Sequence, residues 1–202
     1  MGQRLVISIG TSEKELCNIY YHWDAYTYCA LLDTKKIIDC IYNHEHETTE
    51  NLLLRLIHFC EKNGGGITKG YGSDEWKYIQ NLYPNEIFKA DDISRNDGLI
   101  SLSEKEMAVS RSWSEGEVYI NIDTEQVDFC VYSGYETLDE YIEERKSWDD
   151  DFDEKELDNM PTFDFCLGNF NIADIDAIIA SLDTIGNEDV IKCDNEICEL
   201  IV

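Results

Sequence analysis

The chain has 202 residues, of which 43% are hydrophobic and 11% aromatic, and its 43 acidic and 16 basic side chains give a formal net charge of −27. Disordered acidic tails are poorer in hydrophobic and aromatic residues, so this composition excludes such a tail and predicts a folded chain. No stretch approaches the ~20 apolar residues of a membrane-spanning helix, and the length suits one substantial hydrophobic core.

The N-terminal residues predict a β-hairpin. Polar and apolar side chains alternate over residues 3–9, which is the pattern of a strand and argues against a signal peptide. Residues 16–22 are rich in tyrosine and isoleucine, which favour a second strand. A capping box of Ser12 and Glu15 that opens a long helix is the alternative. We prefer the hairpin because the residues that follow are good β-formers.

Apolar residues at helical spacing predict three helices after this hairpin. Asp24 is expected to cap the first helix, and Thr48 or Thr49 the second. The glycines at 64–66 are expected to end the second helix, because glycine readily adopts the left-handed conformation found after helix C-termini. The predicted helices span 24–42, 50–62 and 74–83, the last of them capped by Ser73.

The second half of the chain mixes strands and helices. Ser103 and Glu106 form a capping box for a helix that reaches about Trp113. Residues 117–122 and 127–132 give the clearest β signal, because two alternating segments flank a polar turn. The other predicted elements are a strand at 99–102, a helix at 136–147, a strand at 163–167, a helix capped by Asn171 and a hairpin around Asp194 and Asn195.

These elements predict one α+β domain over residues 1–202, with mixed β-hairpins and about five helices. A doubly wound sheet is disfavoured because strands and helices do not alternate regularly. If a sub-boundary exists, it falls in the mostly irregular stretch at 84–100.

The negative charge is concentrated in the second half of the chain. Residues 1–120 carry 19 acidic and 12 basic side chains, whereas residues 121–202 carry 24 acidic and four basic ones. Like charges at this density repel each other and reduce folding stability. Solubility alone requires a net charge of only about 2–8 in a small domain. The excess therefore predicts that the acidic surface has a binding function.

The densest run of carboxylates lies between residues 136 and 158, with 12 acidic and three basic side chains. Carboxylates on successive turns of a helix, joined by others nearby, approach the charge spacing of duplex DNA, about one per 1.7 Å. Such carboxylates would bind the lysine and arginine side chains of a nucleic-acid-binding protein and so displace its phosphates. The alternative interpretation is that this run forms a solvated face with no partner. The predicted contacts are Glu136, Asp139, Glu140, Glu143, Glu144, Asp149, Asp150, Asp151, Asp153, Glu154, Glu156 and Asp158, with Asp174, Asp176 and Asp183 as additional candidates.

Two patterns resemble metal sites but lack required residues. The run from Asp149 begins like an EF-hand loop, but Glu154 stands where that loop needs glycine, and Met160 where it needs a bidentate glutamate. The segment 44–47 reads H-E-H-E and lacks the H-E-x-x-H spacing of zinc proteases, so a polar loop is the better interpretation. We expect no metal ion, no cofactor and no catalytic residue.

The eight cysteines are expected to be reduced thiols, and most of them lie in apolar surroundings typical of small core residues. A small intracellular enzyme that uses cysteine, histidine or carboxylate groups is one alternative to a binding protein. A pocket in which His22, His44 or cysteine side chains converge would favour it. An acidic structural or interaction subunit is the other alternative.

Two segments, YYHWDAYT at 20–27 and WSEGEVYINIDTEQVDFCVY at 113–132, resemble uncharacterised phage and prophage proteins of low-GC Gram-positive bacteria. The composition is also similar to acidic phage proteins that imitate DNA in order to inhibit restriction or CRISPR systems. This resemblance implies a cytoplasmic inhibitor in an infected host, which binds a nuclease complex or another nucleic-acid-binding defence protein. It implies no direct contact with nucleic acid or membrane, and it leaves the oligomeric state open.

Overall fold

The computed structural model describes residues 4–43, 48–68, 75–88, 90–91, 98–131, 143, 146–147 and 168–184. Eight strands in these ranges form one mixed sheet in the order β4-β3-β5-β2-β1-β6-β7-β8. The strands are β1 (Leu5–Gly10), β2 (Glu15–Tyr21), β3 (Gly66–Thr68), β4 (Ala90–Asp91), β5 (Leu99–Ser101), β6 (Gly116–Asn121), β7 (Gln126–Cys130) and β8 (Gly168–Asn171).

Pairing in the sheet is both parallel and antiparallel. Strands β1 and β6 run parallel, as do β3 and both of its neighbours, and the other pairs are antiparallel. The hairpins β1–β2 and β6–β7 confirm the two strongest β predictions. The mixture of hairpins and separate helices confirms the α+β class.

The principal helices of the described residues largely follow the sequence-based predictions. They are α1 (Thr27–Tyr42), α2 (Thr49–Lys62), α3 (Glu75–Leu82), α4 (Glu104–Arg111) and α5 (Ile175–Thr184), the last preceded by a 3-10 turn at Ile172–Asp174. Thr48 caps α2 by accepting the N–H of Asn51 at 3.3 Å. Asn171 caps the 3-10 turn by accepting the N–H of Ala173 at 2.9 Å. Both caps are as predicted.

The prediction that Asp24 caps α1 is wrong. The helix begins at Thr27, and the preceding residue, Tyr26, makes no side-chain capping bond. Asp24 lies before the helix, close enough to Asp33 and Lys36 of α1 to act on the pKa of both. The N-cap position, from which a side chain caps the free N–H groups of the first turn, is therefore occupied by Tyr26 and not by Asp24.

Several predicted features lie outside the described residues. They are the cap at Ser73, the strand at 163–167, the C-terminal hairpin and most of the helix at 136–147. The structure does place Glu143, Lys146 and Ser147 in helical conformation. No helix in the described ranges combines the length and apolar character needed to cross a membrane.

The two faces of the sheet differ in chemistry. Leu5, Ile7 and Ile9 of β1 point into an apolar core shared with α1 and α2, and each buried side chain of this kind contributes about 1.5–3 kcal/mol. The opposite face carries buried polar side chains, among them Ser8 and Asn18, which are register partners. Helix α4 lies over this polar face.

Candidate functional site

Only a small part of the predicted acidic contact set can be placed. Glu143 is helical and exposed, Asp174 and Asp176 are exposed around the start of α5, and Asp183 lies within α5. The remaining members lie outside the described residues: Glu136, Asp139, Glu140, Glu144, Asp149, Asp150, Asp151, Asp153, Glu154, Glu156 and Asp158. Whether these carboxylates form one patch stays a prediction.

The described residues do bring other carboxylates together where β6 turns into β7. Asp123 and Glu125 occupy this turn and are exposed. The Asp123 Oδ2 atom accepts the N–H of Ser12, in the β1–β2 turn, at 3.2 Å. The carbonyl oxygen of Glu125 accepts the N–H of Ile172 at 2.9 Å, which fixes the start of the 3-10 turn against β7. Three separate parts of the chain therefore meet at this end of the sheet.

Helix α1 contributes to the same end through Lys35. The Lys35 Nζ atom lies 3.1 Å from Asp39 within α1 and 3.0 Å from Asp176 at the start of α5. Hydrogen bonds to Asp176 and Asp39 raise the pKa of Lys35, so its positive charge is retained. This lysine joins the two helices and neutralises part of the negative charge around it.

The negative charge of this surface affects the pKa of two tyrosine side chains. Burial raises the pKa of both Tyr42 and Tyr119, and the charge of Asp123 acts on both hydroxyl groups in the same direction. We call this surface the acidic edge and define it by Glu13, Asp39, Asp123, Glu125, Asp174 and Asp176, all of which are exposed.

A cavity of about 100 Å³ lies at the other end of β1, between the polar face of the sheet and α4. Its polar and aromatic lining combines one carboxyl group, two basic side chains, two hydroxyl side chains and two aromatic side chains. These are Glu106, Arg4, His22, Thr68, Ser110, Tyr20 and Trp113.

Arg4 lies at this cavity with its charge already matched. Its guanidinium nitrogens lie 3.1 and 3.3 Å from the carboxylate oxygens of Glu115, and the group lies 5.8 Å from the ring centroid of Trp113. The hydrogen bond to Glu115 raises the pKa of Arg4. Burial alone would raise the pKa of Glu115, but the hydrogen bonds from Arg4 outweigh burial and lower it. Both groups are therefore charged at neutral pH.

His22 lies in the same cavity as a neutral ring. Its Nδ1 atom is 3.0 Å from the hydroxyl group of Tyr20. Burial lowers the pKa of His22, and the nearby charge of Arg4 lowers it further. Because the ordinary value is about 6.5, the imidazole is mostly uncharged at pH 7.

Glu106 supplies the carboxyl group of the cavity and is only 2% exposed. The predicted capping box is half right: the Ser103 hydroxyl accepts the N–H of Glu106 at 3.4 Å. The reciprocal bond is absent, because Glu75 accepts the N–H of Ser103 at 3.1 Å and that of Leu102 at 2.6 Å. Among the residues that the structure describes, no hydrogen bond or ion pair reaches the Glu106 carboxyl group.

The cysteine predictions are correct in the core and wrong at one strand. Cys17 and Cys60 are fully buried, and burial raises the pKa of both thiols, so neither is a reactive thiolate. Cys130 is exposed because β7 alternates, with Phe129 taking the buried position. In the described ranges, no group of three or more histidine, cysteine and acidic side chains is placed to hold a metal ion.

The enzyme alternative predicts that His22 converges with cysteine side chains, and the structure does not bring His22 together with Cys17. Cys17 lies on the core face of β2, whereas Tyr20 points to the opposite face with the cavity. Of the other cavity residues, only Glu106 carried a signal in the sequence, and that signal indicated a helix cap.

The chain matches no protein-family model, no curated protein and no solved structure in the three comparisons made. Function is therefore argued from the residues themselves.

Proposed function

We propose that this chain is a phage-encoded counter-defence inhibitor that occupies the basic nucleic-acid-binding surface of a host nuclease, restriction complex or CRISPR complex. The net charge of −27 on a folded chain carries the proposal. Repulsion between so many like charges destabilises a compact protein. Binding to a strongly basic partner compensates for that cost, whereas solubility requires far less charge.

The acidic edge supports this proposal with geometry. Its carboxylates come from the β1–β2 turn, from α1, from the β6–β7 turn and from the start of α5, and contacts between backbone and side chains hold these parts together. A fixed set of carboxylates loses little conformational freedom when it meets lysine and arginine side chains. The acidic segment at 136–158 follows β7 in sequence and adds the largest block of charge.

The inhibitory mechanism follows from the chemistry of phosphate binding. A nucleic-acid-binding surface holds phosphates with lysine and arginine, and much of its affinity comes from release of the counterions condensed on the nucleic acid. Carboxylates that occupy those cations exclude the phosphates. Electrostatic steering accelerates association, and salt weakens the complex because it screens the exposed charges.

The direct test is affinity capture from a bacterial lysate on the immobilised chain at low salt, followed by elution with a salt gradient and identification of the eluted proteins. The proposal expects a nuclease complex or other DNA- or RNA-binding defence machinery that leaves the column as salt rises. A triple charge reversal at Glu140, Glu143 and Glu144 should abolish capture. Equal capture by the folded triple variant would count decisively against the proposal.

One observation favours the enzyme alternative, namely that His22, Tyr20 and Glu106 line one cavity. The described lining contains no cysteine, and no third described residue hydrogen-bonds His22 to complete a triad with the Tyr20 hydroxyl group 3.0 Å away. Full inhibition by a variant with neutralised acidic residues would instead favour the other alternative, an interaction subunit whose charge serves only solubility.

A further inference from the structure

We propose that the cavity beneath α4 is a binding site for a cationic organic group, a guanidinium or protonated alkylamine, that pairs with Glu106. The site lies at the opposite end of β1 from the acidic edge and does not depend on the counter-defence proposal. The argument rests on the isolated carboxyl group, the neighbouring charges, the walls and the size of the cavity.

The first element is a carboxyl group that lacks a partner. Glu106 is 2% exposed and lines the cavity, yet no described residue donates a hydrogen bond to its carboxyl group. Buried polar groups in native proteins almost always have partners, and buried charges are paired or bind an ion. A ligand that carries N–H donors and positive charge satisfies both requirements.

The second observation is that the other titratable side chains of the described lining are paired or mostly neutral. Arg4 is committed to Glu115, to which its guanidinium makes contacts of 3.1 and 3.3 Å. His22 is mostly neutral at pH 7, because burial and Arg4 both lower its pKa. Within the described lining Glu106 is therefore the carboxyl group without a partner, and a ligand that carries both positive charge and N–H donors suits it best.

The third element is the composition of the walls. The aromatic side chains of Tyr20 and Trp113 and the aliphatic side chains of Leu99 and Val109 form the apolar part of the described lining. Aromatic faces attract cations, and a guanidinium or ammonium group gains most from them when it is desolvated. Apolar walls also strengthen the attraction between Glu106 and the ligand, because the local dielectric constant is low.

The fourth element is size. An apolar cavity of about 150 Å³ admits benzene, so a cavity of about 100 Å³ admits a guanidinium or the end of a short alkylamine. It is too small for a nucleotide or a sugar ring. The cation is either a free small molecule or the end of an arginine or lysine side chain of a protein. The chemistry is the same for both sources, and the test distinguishes them.

The test uses two matched pairs of ligands on the full chain. Ethylguanidinium is compared with ethylurea, a neutral molecule of nearly the same shape, and the peptide Gly-Arg-Gly with its citrulline analogue. Calorimetry and NMR titration measure binding. We expect each cation to bind at least about tenfold more tightly than its urea counterpart, with shifts at the Trp113 indole. Tighter binding of the arginine peptide identifies a side-chain ligand, and preference for ethylguanidinium identifies a small molecule.

The variants Glu106→Gln and Glu104→Gln complete the test. Both remove one carboxylate near the start of α4, but Glu104 is exposed. Glu106→Gln should lose at least about tenfold in affinity for the cations, whereas Glu104→Gln should bind as the unaltered chain does. Equal binding of cations and ureas, absence of binding to all four ligands, or full affinity in folded Glu106→Gln would each overturn the proposal. If Glu106→Gln does not fold, the comparison of cation and urea on the unaltered chain still decides it.

Discussion

The carboxylate of Glu75, on α3, holds the start of α4 at Ser103. Its Oε1 atom accepts the backbone N–H groups of Leu102 and Ser103 at 2.6 and 3.1 Å, and its Oε2 atom accepts the Ser103 hydroxyl group. Glu75 is 1% exposed. A carboxylate at a helix N-terminus accepts hydrogen bonds from the free N–H groups there. Its negative charge also interacts favourably with the positive end of the helix dipole. This contact positions the helix that covers the cavity.

We expect Glu75→Gln to lower the free energy of unfolding by about 1–3 kcal/mol, because the amide replaces a charged acceptor and can present only one oxygen to the donors at Leu102 and Ser103. Urea unfolding at pH 7 measures the loss. Glu104→Gln, in the first turn of α4, is the control, and its exposed side chain should change stability by about 0.5 kcal/mol or less. Equal losses in the two variants would contradict the structural role of Glu75.

At Glu106, which is also a buried glutamate near the start of α4, we expect substitution by glutamine to change the free energy of unfolding in the opposite direction. Its carboxyl group lacks a described partner, so Glu106→Gln replaces an unpaired carboxyl group with a neutral amide that is less costly to bury, and it should raise the free energy of unfolding by about 1 kcal/mol in the absence of ligand. The same urea experiment measures it. A loss of stability would indicate that the carboxylate has a structural partner. If Glu75→Gln lowers stability and Glu106→Gln raises it, Glu75 has a structural role, whereas Glu106 is retained at a cost in stability, as expected of a binding residue.

Local patterns predicted the elements whose signal lies in their own residues. Alternation in β6 and β7 and helical spacing in α2 are of this kind. Strand β8 reads GNFN, which is poor in β-formers, and it forms because Phe170 pairs with Val127 and its ring centroid lies 6.2 Å from that of Phe129. Such tertiary contacts leave no periodic signal in the strand itself.

The cavity was unpredictable for a related reason. Arg4 and Glu115 are 111 residues apart in sequence, and the parallel pairing of β1 with β6 brings them together. The capping box at Ser103 and Glu106 was visible in the sequence, but its replacement by Glu75 depends on where α3 packs. Glu106 is thereby left to face the cavity instead of its own helix end.

We expect His22 to make the stability of the folded protein depend on pH. Its pKa in the folded protein lies below the ordinary value of about 6.5, so the unfolded chain binds more protons just below that pH. The contribution of His22 is therefore complete above about pH 6.5 and is lost as the pH falls through the lower folded value. Glu115, whose pKa is also lowered, acts in a separate and more acidic range.

Urea midpoints measured between pH 7.5 and 5.5 check this expectation. His22→Gln should reduce the slope in that interval, because glutamine does not titrate. Tyr20→Phe is the control, since it removes the hydroxyl group 3.0 Å from the His22 Nδ1 atom and keeps the imidazole, so the slope should remain. An unchanged slope in folded His22→Gln would show that another group is responsible.

The acidic edge predicts a distinct effect on partner binding. The triple variant Asp123→Asn, Glu125→Gln, Asp174→Asn keeps side-chain shape and removes three negative charges from one surface. Once affinity capture has identified a partner, we expect this variant to associate at least about tenfold more slowly at low salt, with a weaker dependence of the rate on salt concentration. Stopped-flow or surface-binding kinetics across a salt series measure both quantities.

The control for this prediction changes net charge equally but elsewhere. Glu50→Gln, Glu86→Gln and Glu104→Gln alter acidic residues that do not belong to the acidic edge. If carboxylates act through their arrangement, the control should lose much less of the association rate than the edge variant. If both triple variants lose the same amount, net charge alone attracts the partner, and the arrangement of the acidic edge has no separate role. The comparison therefore distinguishes an ordered imitation of phosphate spacing from general electrostatic attraction.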